Sequence, residues 1–106
     1  MQSELVFLEE GDSLVALLDC EIDHHTARRL RERIDERLFL LKPSILVIDF
    51  SAVRFMDSSG IGLILGRSEK ADVLGASVRI RGLSPTLTKL LRISGVDKVE
   101  NIAIIG

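Results

Sequence analysis

The chain has 106 residues, 46% of them hydrophobic, which suits one compact domain over residues 1–106 and leaves little for a second. Its 14 Lys and Arg stand against 16 Asp and Glu, and with four Phe and no Trp or Tyr it has neither the cationic excess a nucleic-acid backbone requires nor an aromatic platform for stacking bases. The lone Cys20 excludes an internal disulfide, no apolar run approaches the ~18 residues of a membrane span, and Met1-Gln2-Ser3-Glu4 lacks the features of a signal peptide, so a cytoplasmic protein without membrane contact is predicted.

Leu5 to Leu8 and Leu14 to Leu18 are short aliphatic runs separated by Glu9-Glu10-Gly11-Asp12-Ser13, the pattern of a β-hairpin. From Asp23 the period changes. Ala27, Leu30, Ile34, Leu38 and Leu41 recur every three or four residues, which predicts an amphipathic helix with Asp23 as N-cap and Lys42-Pro43 as its stop. Residues 1–23 are acidic and free of Lys and Arg, whereas Arg28, Arg29, Arg31, Arg33 and Arg37 crowd the helix. The spacing there predicts a solvated face laced with Arg/Glu pairs.

Ile45 to Phe50 is an almost continuous apolar run, expected to be a strand covered on both faces. A second helix follows Asp57 and runs to Leu74, where Gly75 closes it. Val78 to Ile80 reads as a strand. Ser84-Pro85 opens a third helix, with Leu87, Leu90, Leu91 and Ile93 as its buried stripe up to Gly95. Ile102 to Ile105 reads as a last, loosely held edge strand. The order predicts an α/β layer structure: a mixed sheet of four to five strands with three helices packed against it through right-handed crossovers.

Phe55 to Arg67 is the unusual stretch. Gly60, Gly62 and Gly66 each cost a helix up to ~1 kcal/mol relative to Ala, so close packing on a sheet, a flat surface for a partner, or both must compensate. Asp57 is placed to cap this helix and Ser58 falls on its first turn beside solvent. Two readings stand open for Ser58 and Ser59: helix-initiating polar residues, or a phosphorylation site where phosphate would add about −1.5 to −2 charge. Enzyme and metal chemistry fit poorly. Ser58 and Ser59 lack a Gly-x-Ser-x-Gly elbow, His24 and His25 are the only histidines, adjacent histidines on a helix diverge, and no Gly-Lys-[Ser/Thr] follows the glycines. Neither a cofactor nor a metal is expected.

The chain resembles the anti-sigma factor antagonists of the STAS domain family over nearly its whole length. The resemblance rests on Glu21-Ile22-Asp23-His24-His25-Thr26-Ala27, Phe55-Met56-Asp57-Ser58-Ser59-Gly60-Ile61-Gly62, Leu65-Gly66-Arg67, Ser84-Pro85 and Ser94-Gly95-Val96, and the Asp-His-His-Thr-Ala element points to the sporulation branch. It implies the STAS fold and a non-enzymatic positive regulator of sporulation-specific transcription; a general-stress antagonist, or a STAS subunit of a signalling complex, is the alternative. It also implies that Ser58 is phosphorylated by an anti-sigma factor that is itself a serine kinase carrying ATP or ADP. The unphosphorylated form would bind that kinase and free the sigma factor, and a serine/threonine phosphatase would restore it. Partner contacts are expected at Asp23, Asp57, Ser58, Ser59, Gly60 and Gly62. Cys20 departs from the Gly common at its position in related antagonists, and these often continue into a fourth helix.

Overall fold

The computed structural model describes residues 4–105. In chain order it contains strands β1 (Leu5–Glu10) and β2 (Ser13–Leu18), helix α1 (His24–Leu41), β3 (Ile45–Asp49), α2 (Ser58–Val73), β4 (Ser77–Arg81), α3 (Pro85–Ser94), a 3-10 turn (Val96–Lys98) and β5 (Ile102–Ile105). The mixed five-stranded sheet and its three helices form the expected α/β architecture.

The sheet runs β1-β2-β3-β4-β5 in space as in sequence. β1 and β2 form the antiparallel hairpin, closed by Gly11 at φ 59°, a left-handed conformation that glycine adopts without steric cost. Every later pairing is parallel, with Ala16 opposite Ile48, Ile48 opposite Ile80, and Ile80 opposite Ile104. Because the order advances in one direction only, right-handed crossovers deliver every helix to the same face. Leu14, Ala16, Leu18, Leu46, Ile48, Val78 and Ile80 point to that face. They pack with Leu30, Ile34 and Leu38 of α1, Leu63 and Ile64 of α2, and Leu87 and Leu91 of α3 in one cluster. Each such large side chain contributes about 1.5–3 kcal/mol by leaving water.

β3 is buried on both faces, as its nearly continuous apolar run predicts, but the cover differs between them. Only the Leu46 and Ile48 side meets the helices. Val47 and Asp49 lie on the opposite face, among cross-strand neighbours Val15, Arg79, Leu17 and Arg81. Asp49 is buried there. Its Oδ1 accepts from the Ser51 amide at 2.8 Å and its Oδ2 from Arg81 Nε at 2.8 Å. Burial pushes the Asp49 carboxyl upward, but the hydrogen bonds from Ser51 and Arg81 outweigh it and hold the group below its usual range.

Other differences are local. Leu41 is 38% exposed and Ile93 75% exposed, so α1 and α3 keep their predicted stripes except for the last member of each. α1 stops as expected, with Lys42 left-handed at φ 47° before Pro43. Its arginines largely reach across to other elements instead of pairing along the helix. Arg28 pairs with Glu32 at 3.7 Å, but Arg29 binds Glu4, Arg33 donates to the Leu5 carbonyl, and the Arg37 guanidinium sits 4.4 Å from the Phe7 ring centre. β5 pairs with β4 over Ile102 to Ile105 and buries Ile102.

Candidate functional site

Two loops at the same end of the sheet lead into α1 and α2, and a short backbone bridge joins them. The Ile22 amide donates to the Phe55 carbonyl at 3.0 Å, and the Asp57 amide donates to the Ile22 carbonyl at 3.1 Å. Ile22 and Met56 are both buried beneath this bridge. Asp23 and Asp57, one residue further along each segment, are therefore neighbours, and so are the helix starts they cap. Segments more than 30 residues apart in sequence thus form one surface.

The capping geometry matches the sequence pattern. Asp23 Oδ1 accepts from the Thr26 amide at 2.8 Å and from Thr26 Oγ1 at 3.0 Å. These two bonds, the amide's first, hold the exposed Asp23 carboxyl below its usual range. Asp57 Oδ1 accepts from the Ser59 amide at 2.8 Å. Ser58 begins α2 and is exposed, with no hydrogen bond from its hydroxyl to another described residue. Ser59 is half-buried.

The three glycines of α2 divide by position. A Cβ at Gly60 would lie 2.6 Å from Met56 Sδ and 3.1 Å from its Cγ, so Gly60 lets α2 sit tightly against the bridged loop. The close neighbour is that loop, not the sheet. At Gly62 and Gly66 a Cβ would meet nothing within 4 Å. Gly62 is exposed one turn from Ser58, and packing does not require its lack of a side chain.

Between α1 and α2 lies an open cleft of about 450 Å³, walled by His24, Ala27, Arg28 and Arg31 on one side and by Ser59, Gly62, Leu63 and Arg67 on the other. Arg67 is 3% exposed, and its Nε lies 2.7 Å from Asp35 Oδ1 as an ion pair without hydrogen-bond alignment. Burial dominates both groups, raising the Asp35 carboxyl and lowering the Arg67 guanidinium from their usual values, while their mutual attraction opposes it. This pair clamps α1 to α2. Sequence reasoning missed its role, because a lone Asp on one helix and a lone Arg on the next carry no sign that they face each other.

His24 and Ser59 share the cleft but make no hydrogen bond with each other among the described residues. The His24 and His25 rings lie edge to face at 5.8 Å. Cys20 is half-buried, and burial, with Glu4 and Asp19 nearby, pushes its thiol up to about 11. Among the described residues no three His, Cys, Asp or Glu side chains are grouped to hold a metal ion, and no helix is long and apolar enough to cross a membrane.

The one-sided, sequentially ordered sheet with its three helices is the fold of a STAS domain, and residues 6–103 match the model of that family. An anti-sigma F factor antagonist of Paenibacillus polymyxa is 34% identical over 84% of this chain and 76% of its own length. An anti-sigma-B factor antagonist of Listeria monocytogenes is 30% identical over 77% of this chain and 71% of its own. The solved structure of the anti-sigma factor antagonist SpoIIAA in its unphosphorylated form is 26% identical with a TM-score of 0.80, covering 96% of this chain and 88% of that one. SpoIIAA in the phosphorylated form, described as a Bacillus cell fate determinant, is 26% identical with a TM-score of 0.72, covering 96% of this chain and 91% of that one. The chain belongs to the STAS-domain anti-sigma factor antagonists. Members of that group are non-enzymatic regulators.

Proposed function

We propose that this protein is a phosphorylation-controlled switch of the cytoplasm, with Ser58 as its phosphoacceptor. In the unphosphorylated state it binds an anti-sigma factor that is also a serine kinase and thereby frees the sigma factor. In the kinase the Ser58 Oγ–phosphorus bond forms as the bond between the γ-phosphoryl group and ADP breaks, and the hydroxyl proton passes to a kinase base. A serine/threonine phosphatase then hydrolyses the ester to return the hydroxyl and inorganic phosphate. The observation that carries the reading is the exposed Ser58 at the bridged pair of helix starts, beside Asp23 and Asp57. The free amides at the start of α2 tolerate an added phosphate, while Asp57 and a partner surface fitted to the neutral serine oppose it. Asp23, Asp57, Ser59 and Gly62 form the remainder of the proposed contact surface, and Gly60, buried against Met56, supports it from beneath.

The higher identity to the sigma-F antagonist supports control of sporulation-specific transcription, and the 30% identity to a sigma-B antagonist makes general stress the competing assignment. Incubation with the cognate kinase and ATP is expected to place one phosphate on the chain, lost in Ser58→Ala and kept in Ser59→Ala. Labelling that survives Ser58→Ala overturns the assignment. Release of one purified sigma factor and not the other from its anti-sigma factor decides between the two pathways.

A further inference from the structure

The cleft between α1 and α2 has an electrostatic character that the phosphoacceptor reading does not use. Arg28, Arg31 and Arg67 line it, and no carboxylate does. The two carboxylates that pair with these arginines, Glu32 and Asp35, lie outside the lining. Arg31 forms no ion pair with another described residue. Arg67 adds a second kind of observation. It is 97% buried by the measure of its 3% exposure, Asp35 engages it at Nε, and its Nη1 has no acceptor among the described residues. Asp35 offsets the charge of Arg67, but a buried guanidinium N–H without an acceptor normally finds one, and Arg28 and Arg31 keep the cleft wall basic.

We infer that this cleft receives an acidic segment of the anti-sigma factor that acts on Ser58, a stretch bearing at least two carboxylates. The inference rests on the proposed function. The dimensions favour a segment over a single small ion: His24, Arg28 and Arg31 follow one another over about 10 Å of α1 at ~1.5 Å per residue, longer than one phosphate. The position favours the same partner, because Ser59 and Gly62 form the opposite wall and Ser58 precedes Ser59. A body that contacts Ser58 is therefore adjacent to the cleft wall. The arrangement also gives the phosphate a defined way to release the partner: about −1.5 to −2 charge at Ser58 stands at the cleft's edge, where it repels the acidic segment and competes for the same arginines.

The test compares two variants of equal charge change, Arg28→Gln/Arg31→Gln in the cleft and Lys89→Gln/Arg92→Gln on exposed α3, for binding to the purified cognate anti-sigma kinase with ADP at 50 and 300 mM salt. All four side chains are exposed, and a thermal melt checks that both variants fold. The cleft variant is expected to bind about tenfold more weakly at low salt and to lose most of the salt dependence, while the α3 variant stays within twofold of the parent. Unchanged affinity in the cleft variant, or an equal loss in both, overturns the inference. So does a titration in which inorganic phosphate shifts the Arg28 and Arg31 amide resonances while the cleft variant binds the kinase normally, since that assigns the cleft to a small oxyanion. Failure of the underlying reading looks different: the parent chain itself neither binds the kinase nor gains phosphate on Ser58.

Discussion

Gly62→Ala separates what folding wants at the second helix from what the proposed partner wants. Gly62 lies inside α2, its Cβ position is open to at least 4 Å, and no positive φ demands glycine there. Folding therefore gains from the substitution by up to about 1 kcal/mol, the difference between Gly and Ala in a helix interior. For a chain of this size that raises Tm by about 4–8 °C per kcal/mol. Gly66→Ala repeats the stability test one turn further on. Gly60→Ala goes the other way: the 2.6 Å approach to Met56 Sδ forces the buried methionine side chain to shift, an overpacking cost of about 1–3 kcal/mol that outweighs the propensity gain. Binding of Gly62→Ala to the anti-sigma partner is expected to weaken although the fold is more stable, because the new methyl enters the cleft beside Ser59. Calorimetric melting and titration against the partner measure both effects. A lower Tm for Gly62→Ala refutes the assignment of open space around α2, and undiminished affinity refutes close approach of the partner at that position.

Two further outcomes follow from groups away from the helix starts. The Asp49 carboxyl is held below its ordinary value of 3.8 by Ser51 and Arg81 against the effect of its burial. Its contribution to stability is thus complete above that value and is lost as pH falls through the lower, folded one; Asp49→Asn is expected to lower stability at pH 7 and to flatten the acid limb of the stability curve. An unchanged acid limb in that variant would falsify the account of this staple. Cys20, with its thiol pushed up to about 11, holds little thiolate at pH 8 and is expected to alkylate roughly 10²-fold more slowly than an unperturbed thiol, as timed iodoacetamide labelling followed by mass spectrometry reads out. Labelling at the rate of a free thiol contradicts the placement of Cys20.

Local chemistry explains why so much of the architecture is readable from the chain. Asp23, Asp57 and Ser84 sit as caps where the apolar period changes, Gly75 and Gly95 follow the helices they close, and Gly11 turns the hairpin, because each meets a backbone requirement of its own few residues. The buried stripes of α1 and α3 follow the same logic and fail only at Leu41 and Ile93, the last apolar residue of each, since periodicity cannot show where the cover over a helix ends. The face of the sheet left without helices is equally hidden. Val47 and Ile48 are alike in sequence, and only the monotonic strand order decides which of them meets α1 and α2.

The sequence by itself determined the elements, their caps, the exposed Ser58 at a helix start and the family resemblance, because these depend on neighbours within a few residues or on motifs read in line. Tertiary structure alone decided that Ile22 bridges Met56, bringing Asp23 beside Asp57, that Gly60 faces Met56 while Gly62 faces open space, and that Arg67 from α2 is buried against Asp35 from α1 at the floor of a basic cleft. Each of these joins residues separated by other elements or depends on which way a helix face turns, and neither leaves a mark on local composition.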